Sequence, residues 1–130
     1  MNYPLLRLPY PPSNNVYYRH SGSVTYLSKK GKEFKEKAGW IARQAKVVCL
    51  EAPVSLTVIL HPKRNKDGTT NKTRMDIDNC LKAVFDSLEG IAFVDDSQVA
   101  RLVAEIGGNI EGGGVSVIVK PYVANPEWVC

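Results

Sequence analysis

The chain has only two histidines, His20 and His61, and they lie far apart in sequence. Its three cysteines, Cys49, Cys80 and Cys130, fall in no metal-ligand spacing and are odd in number. Neither a zinc site nor a disulfide framework is therefore expected. Cys49 and Cys80 sit in apolar sequence and read as reduced core residues, with Cys130 an exposed terminal thiol. No apolar run approaches the ~20 residues that span a bilayer. The start, MNYPLLRLPYPP, lacks both a basic leader and a long apolar core, so it makes a poor signal peptide. These absences predict a cytoplasmic protein with no membrane partner. No G-x-G-x-x-G or Walker sequence implies a nucleotide or other small organic cofactor. No serine, cysteine or histidine arrangement supplies a nucleophile.

What is present is ordinary in amount and uneven in distribution. At 130 residues, 44% hydrophobic and 23% charged, the chain reads as one domain, residues 1–130. It is long enough to fold without a structural metal. Lys29 to Lys46 holds seven cations and two acids. The stretch 61–75 holds five cations (Lys63, Arg64, Lys66, Lys72 and Arg74) against Asp67. From Asp76 to Asp96 the sign reverses, with six acids and Lys82 alone in opposition. Basic segments attract polyanions. Lysines also solvate helix surfaces, which is the better account of Lys29–Lys46 taken alone.

Hydrophobic periodicity sets the elements. Leu5 to Leu8 reads as a strand stopped by Pro11 and Pro12, and VYYRH and VTYLS as extended chain around Gly22. A helix starts at Ser28, its N-cap, with Phe34, Ala38, Ile41, Ala42, Ala45 and Val48 on one face. Gly31 and Gly39 each weaken it by about 1 kcal/mol relative to alanine. VSLTVILH alternates as a strand, Val54, Leu56, Val58 and Leu60 pointing one way. PKRNKDGTTNKTR has no hydrophobic anchor, and a loop of that length is functional or disordered. A second helix presents Ile77, Leu81, Val84, Phe85 and Leu88 and stops at Gly90. QVARLVAEI and GVSVIVKPY read as two strands of a hairpin joined through GGNIEGGG, and the tail 123–130 has little pattern. The sum is an α+β domain: a mixed sheet of four to five strands with two helices on one face.

The acidic block admits two readings. In the first, Asp76 is the N-cap of the second helix and Asp78 an acid in its first turn, both favoured by free N–H groups and the helix dipole. In the second they are metal ligands. Asp78 and Lys82 are four residues apart and share a flank. Asp95 and Asp96 end the apolar IAFV, from where a further carboxylate can converge on the helix start. The basic stretch 61–75 precedes them. Carboxylates that hold Mg²⁺ beside cations suit phosphodiester hydrolysis.

LPYPPSNNVYYRH, RMDIDNCLKAVFDSL and FVDDSQV, in that order, resemble the RusA family of Holliday-junction resolvases. The blocks anchor the chain from about Leu5 to beyond Val99. The resemblance implies a homodimeric, Mg²⁺-dependent endodeoxyribonuclease that makes paired nicks in four-way DNA junctions. Its essential acids correspond to Asp76, Asp78 and Asp96, and its motif lysine to Lys82; Asp95 is a second-rank ligand and Asn79 a polar support. DNA contacts are expected from Lys63, Arg64, Lys66, Lys72, Arg74 and Arg19, then from Lys29–Lys37. A branched-DNA-binding module that does not cut, a nuclease preferring flap, fork or duplex DNA, and a purely structural role for the acids stay open at this level.

Overall fold

In the computed structural model, which describes residues 3–73 and 75–128, the alternating strand forms the centre of the molecule. This strand, Val54–His61, buries Val54, Leu56, Val58 and Leu60 almost completely, while the residues between them stay half-buried. In chain order the strands are β1 (Leu6–Leu8), β2 (Tyr18–Ser21), β3 (Val24–Leu27), β4 (Val54–His61), β5 (Val99–Ile106) and β6 (Gly114–Pro121). The helices are α1 (Asn14–Tyr17), α2 (Lys29–Gln44) and α3 (Asp78–Leu88), with short 3-10 turns at Asp96–Gln98 and Pro126–Trp128. A four-stranded mixed sheet has the order β1-β6-β4-β5, and β2 and β3 form a separate two-stranded hairpin. Phe34, Ala38 and Ala42 of α2 and Ala83, Val84 and Leu88 of α3 share one buried cluster with β4 and β6. Both long helices therefore cover one face of the sheet, and the fold is α+β as the patterning predicts.

The expected hairpin between the last two strands does not form. β5 runs parallel to β4 and β6 antiparallel to it, on opposite edges. The reason is connectivity. A crossover through α3 is long enough to lay β5 parallel to β4 on one side. The remaining edge of β4, with its alternating apolar residues, is then open to β6. Segment 107–113 carries the chain between the two across the end of β4.

Ser28 caps α2 as expected, its hydroxyl accepting from the Gly31 N–H at 3.0 Å. The predicted face is only partly right, because the helix ends at Gln44: Ala45 is exposed and Val48 lies beyond it, 53% exposed. Cys80 is buried but Cys49, in the connection to β4, is exposed, which corrects its assignment to the core; Cys130 lies outside the described residues. Gly90 takes φ +84° just past α3, a conformation that favours glycine. His61 is locked within the fold. Its Nδ1 donates to the Gly108 carbonyl at 2.8 Å, leaving Nε2 to accept from the Ser116 hydroxyl at 2.8 Å.

The anchorless loop is organised by polar contacts. Lys63 and Arg64 form isolated bridges with Ile110 and Thr70. Asp67 accepts from the N–H and hydroxyl of Thr69, which holds its carboxyl below the usual range. Asn109 grips the loop from the 107–113 crossover, donating to the Thr70 hydroxyl at 2.8 Å.

Candidate active site

The i, i+4 spacing of Asp78 and Lys82 on α3 puts them on one flank, and the 3-10 turn after Phe93 brings Asp96 to face them. Asp78, Lys82 and Asp96 line one open cleft of about 340 Å³ with Asn14, Tyr18 and Asp86. Its floor is Leu81 and Phe85. These two belong to the stripe that reads as core, yet both are only partly buried. The fully buried side of α3 is Cys80, Ala83, Val84, Ser87 and Leu88, so the helix is rotated to give part of its apolar stripe to the cleft.

Each wall is held separately. The side-chain amide of Asn14, in α1, donates to the Asp78 carbonyl at 3.2 Å and ties α1 to the start of α3. Its Oδ1 is buried and has no hydrogen-bond partner among the described residues. Lys82 carries its ammonium 5.8 Å from the centroid of the Tyr18 ring. Burial, then the charges of Asp86, Glu89 and Asp96, push the Tyr18 phenol up, so it stays a donor. Buried Tyr17 donates to Asp86, which also meets Lys35 at 3.4 Å.

The turn that carries Asp96 is fixed by Gln98. Its side-chain oxygen accepts from the N–H groups of Val94 and Asp95, each at 2.8 Å. Its amide donates to the carbonyls of Leu50 and Ala52, again at 2.8 Å. Asp95 caps the turn by accepting from the Ser97 N–H at 3.1 Å and forms a capping box with Gln98. Carboxylate oxygens of Glu89, Asp95 and Asp96 all lie within 4.8 Å of one another. Glu89 shares a hydrogen bond with Asp95, which with some burial pushes the Glu89 carboxyl up, while Ser97 holds Asp95 down.

Asp76 is exposed and does not line the cleft. Nor does its side chain cap α3. The helix starts at Asp78 with no side-chain cap, and it is the Asp76 carbonyl that accepts from the Asn79 N–H at 3.1 Å. The DNA-contact candidates are scattered. Lys63 joins a separate groove; Lys66, Lys72 and Arg19 are exposed on the loop and on β2. Arg64 is engaged by Asn109, with bonds of 3.0 and 3.1 Å. Arg74 lies outside the described residues.

Sequence reasoning missed Asn14, Tyr18, Asp86, Glu89 and Gln98. Asn14 hides in a proline-rich stretch that reads as a turn. The i, i+4, i+8 run of Asp78, Lys82 and Asp86 was the available signal for Asp86.

The donor set fits a hard divalent cation. Every candidate ligand is an oxygen, and Asp96 belongs both to the cleft with Asp78 and to the cluster with Glu89 and Asp95.

Residues 9–120 match the family described as Endodeoxyribonuclease RusA. The Crossover junction endodeoxyribonuclease RusA of Escherichia coli is 33% identical over 118 residues, covering 85% of this chain and 92% of that protein. The protein of the same name from Shigella sonnei is 33% identical over the same extent, and that of Enterobacteria phage 82 is 32% identical. Because the match runs through α1, α3 and the Gln98 turn, and so through every wall of the cleft, the chain belongs to the RusA family of endodeoxyribonucleases.

Proposed function

We propose that this single-domain protein is a structure-selective endodeoxyribonuclease that resolves four-way DNA junctions by paired phosphodiester hydrolysis, working as a homodimer with Mg²⁺. The observation that carries the reading is the convergence of Asp78, Asp96 and Lys82 on one cleft in a chain of this family. A two-fold dimer would present two equivalent clefts to a junction of approximate two-fold symmetry.

Asp78 and Asp96 would hold the ion. Asp76 and Asp95 are the further carboxylates in sequence beside them. Bound there, Mg²⁺ supplies Lewis-acid stabilisation of the phosphate and acidifies a water. The remaining roles belong to side chains. Lys82 sets a positive charge where negative charge grows on the phosphate. Tyr18 holds that lysine over its ring and keeps its own proton as a donor. Leu81 and Phe85 give the cleft an apolar floor, which lowers the local polarity around these charges.

The test is cleavage of mobile and fixed four-way junctions, flaps, forks and plain duplex side by side with Mg²⁺. Asp78→Asn should abolish nicking of the junction while junction binding stays measurable. Full cleavage by that variant refutes the role of Asp78, and preference for a flap or duplex refutes the junction as substrate.

A further inference from the structure

A second groove, larger than the acidic cleft at about 620 Å³, lies on the other side of α1. Its floor is apolar and aromatic, with Tyr10, Phe34 and Met75 among its residues, and its rim carries Lys30, Lys37 and Lys63. Glu33 is the one acid there, so the lining is net positive. The Tyr10 ring is fixed in place. Its phenol oxygen accepts from the Met75 N–H at 3.1 Å. The ring backs on the Gly113 backbone so closely that a Cβ there would come within 3.1 Å of it. The Lys63 ammonium sits 5.1 Å from the ring centroid.

We infer that this groove binds an unpaired, unstacked DNA strand at the branch point, with Tyr10 the platform for a base and Lys30, Lys37 and Lys63 the contacts to its phosphates. The inference rests on the proposed branched-DNA activity and adds where and in what form the strand is held. Charge favours a polyanion. The floor decides which kind: a duplex shows a groove of this sort only its phosphates and would leave the apolar surface uncovered. An unpaired strand brings base faces that stack on aromatic rings. The volume lies within the range of about 300–1,000 Å³ typical of small-ligand sites, enough for a base with its sugar. The two pockets are also continuous along the chain. Ser13 lines the groove and Asn14 the cleft; Met75 lines the groove and Asp78 the cleft. The two pockets therefore adjoin at α1, where a strand held in the acidic cleft would pass toward the groove.

The experiment measures binding of a short fluorescent oligothymidylate, without divalent metal, to the full chain. Tyr10→Leu should weaken it by about tenfold, and Tyr10→Phe, which keeps the ring, should change it by less than about threefold. Lys30→Ala with Lys37→Ala, both at exposed positions of α2, should weaken it and lower the salt slope by about 1.4. A junction carrying 5-iodouracil at the branch should crosslink to Tyr10 on irradiation. Equal binding of a duplex of the same length, unchanged oligothymidylate affinity in the lysine variant, or crosslinks that avoid Tyr10 would each overturn the inference. Loss of all branched-DNA cleavage by the unaltered protein would instead overturn the nuclease reading, because the oligothymidylate arm needs no cleavage.

Discussion

Replacing Gly31 by alanine should destabilise the protein, against the helix-propensity rule. Propensity alone favours alanine by up to about 1 kcal/mol. Packing reverses the sign. A Cβ at Gly31 would lie 2.5 Å from the Tyr17 carbonyl oxygen and 3.2 Å from the Tyr17 ring. The first is backbone, and it already accepts from the Ser28 N–H at 2.9 Å. Relief requires moving α1 away from α2, which costs about 1–3 kcal/mol as overpacking and weakens a buried hydrogen bond by about another 1 kcal/mol. A net loss of about 1–3 kcal/mol follows. Gly39 is the internal control. Its Cβ would meet Ile91 Cδ1 at 3.1 Å and Arg43 Nη1 at 3.3 Å, both ends of flexible side chains that can give. Gly39→Ala should be neutral or stabilising by up to about 1 kcal/mol. Urea midpoints at unchanged slope measure both. The reasoning fails if Gly31→Ala is as stable as Gly39→Ala. Because α1 carries Asn14 and leads into Tyr18, Gly31→Ala should also slow junction cleavage.

Two further variants test how the cleft is held. Gln98→Glu keeps the oxygen that accepts from Val94 and Asp95 but turns the donating amide into a carboxylate facing the carbonyls of Leu50 and Ala52. It should cost about 1–3 kcal/mol and, by displacing Asp96, reduce cleavage by about 10²-fold; wild-type stability and rate together would show that the turn holds itself. Tyr17, buried and donating to Asp86, has its phenol pushed up from 10.0 by burial first and by that bond second. The unfolded chain releases this proton near pH 10 and the folded chain does not, so the stability Tyr17 lends is complete below pH 10 and is lost as pH rises beyond it. Denaturation across pH 8–11 should show a shallower alkaline decline for Tyr17→Phe, and an identical decline in both proteins refutes the linkage.

Where one residue pattern persisted over several turns or pairs, the fold was legible. β4 alternates for its whole length, and Phe34, Ala38 and Ala42 repeat through α2. Short or non-local features were not. α1, Asn14–Tyr17, is a single turn too brief for periodicity, so Asn14 read as turn chemistry and Val16 and Tyr17 as extended chain. The arrangement of β5 and β6 depends on which edge of β4 a crossover leaves free, and glycines between two strands signal a hairpin equally well. Leu81 and Phe85 have the spacing of core residues, and periodicity cannot distinguish a buried stripe from the floor of a cleft. Cys49 looked apolar by its neighbours Val48 and Leu50, but the chain has left α2 there and points it outward. Of the candidate site, the grouping of Asp78, Lys82 and Asp96 in one cleft was legible because the motif and the spacing agree. Glu89 was not, since its approach to Asp95 and Asp96 depends on how α3 ends.

The residues that fix the cleft are mostly not those that would do its chemistry. Crowding carboxylates of Glu89, Asp95 and Asp96 within 4.8 Å is unfavourable on its own, and the Glu89 carboxyl, bonded to Asp95 first, partly desolvated second and facing both charges third, holds its proton more tightly. Such an arrangement persists only if the backbone beneath it is overdetermined. Gln98 supplies that for the acidic pair through four hydrogen bonds to two separate segments, Val94–Asp95 and Leu50–Ala52. On the opposite wall Asn14 binds the Asp78 carbonyl, and Tyr17 fastens α1 to α3 through Asp86. A divalent cation entering the cleft would then meet carboxylates already in place, and its binding would relieve repulsion without having to order a loop. Metal affinity should accordingly depend on Gln98 and Tyr17, neither of which carries a charge at neutral pH.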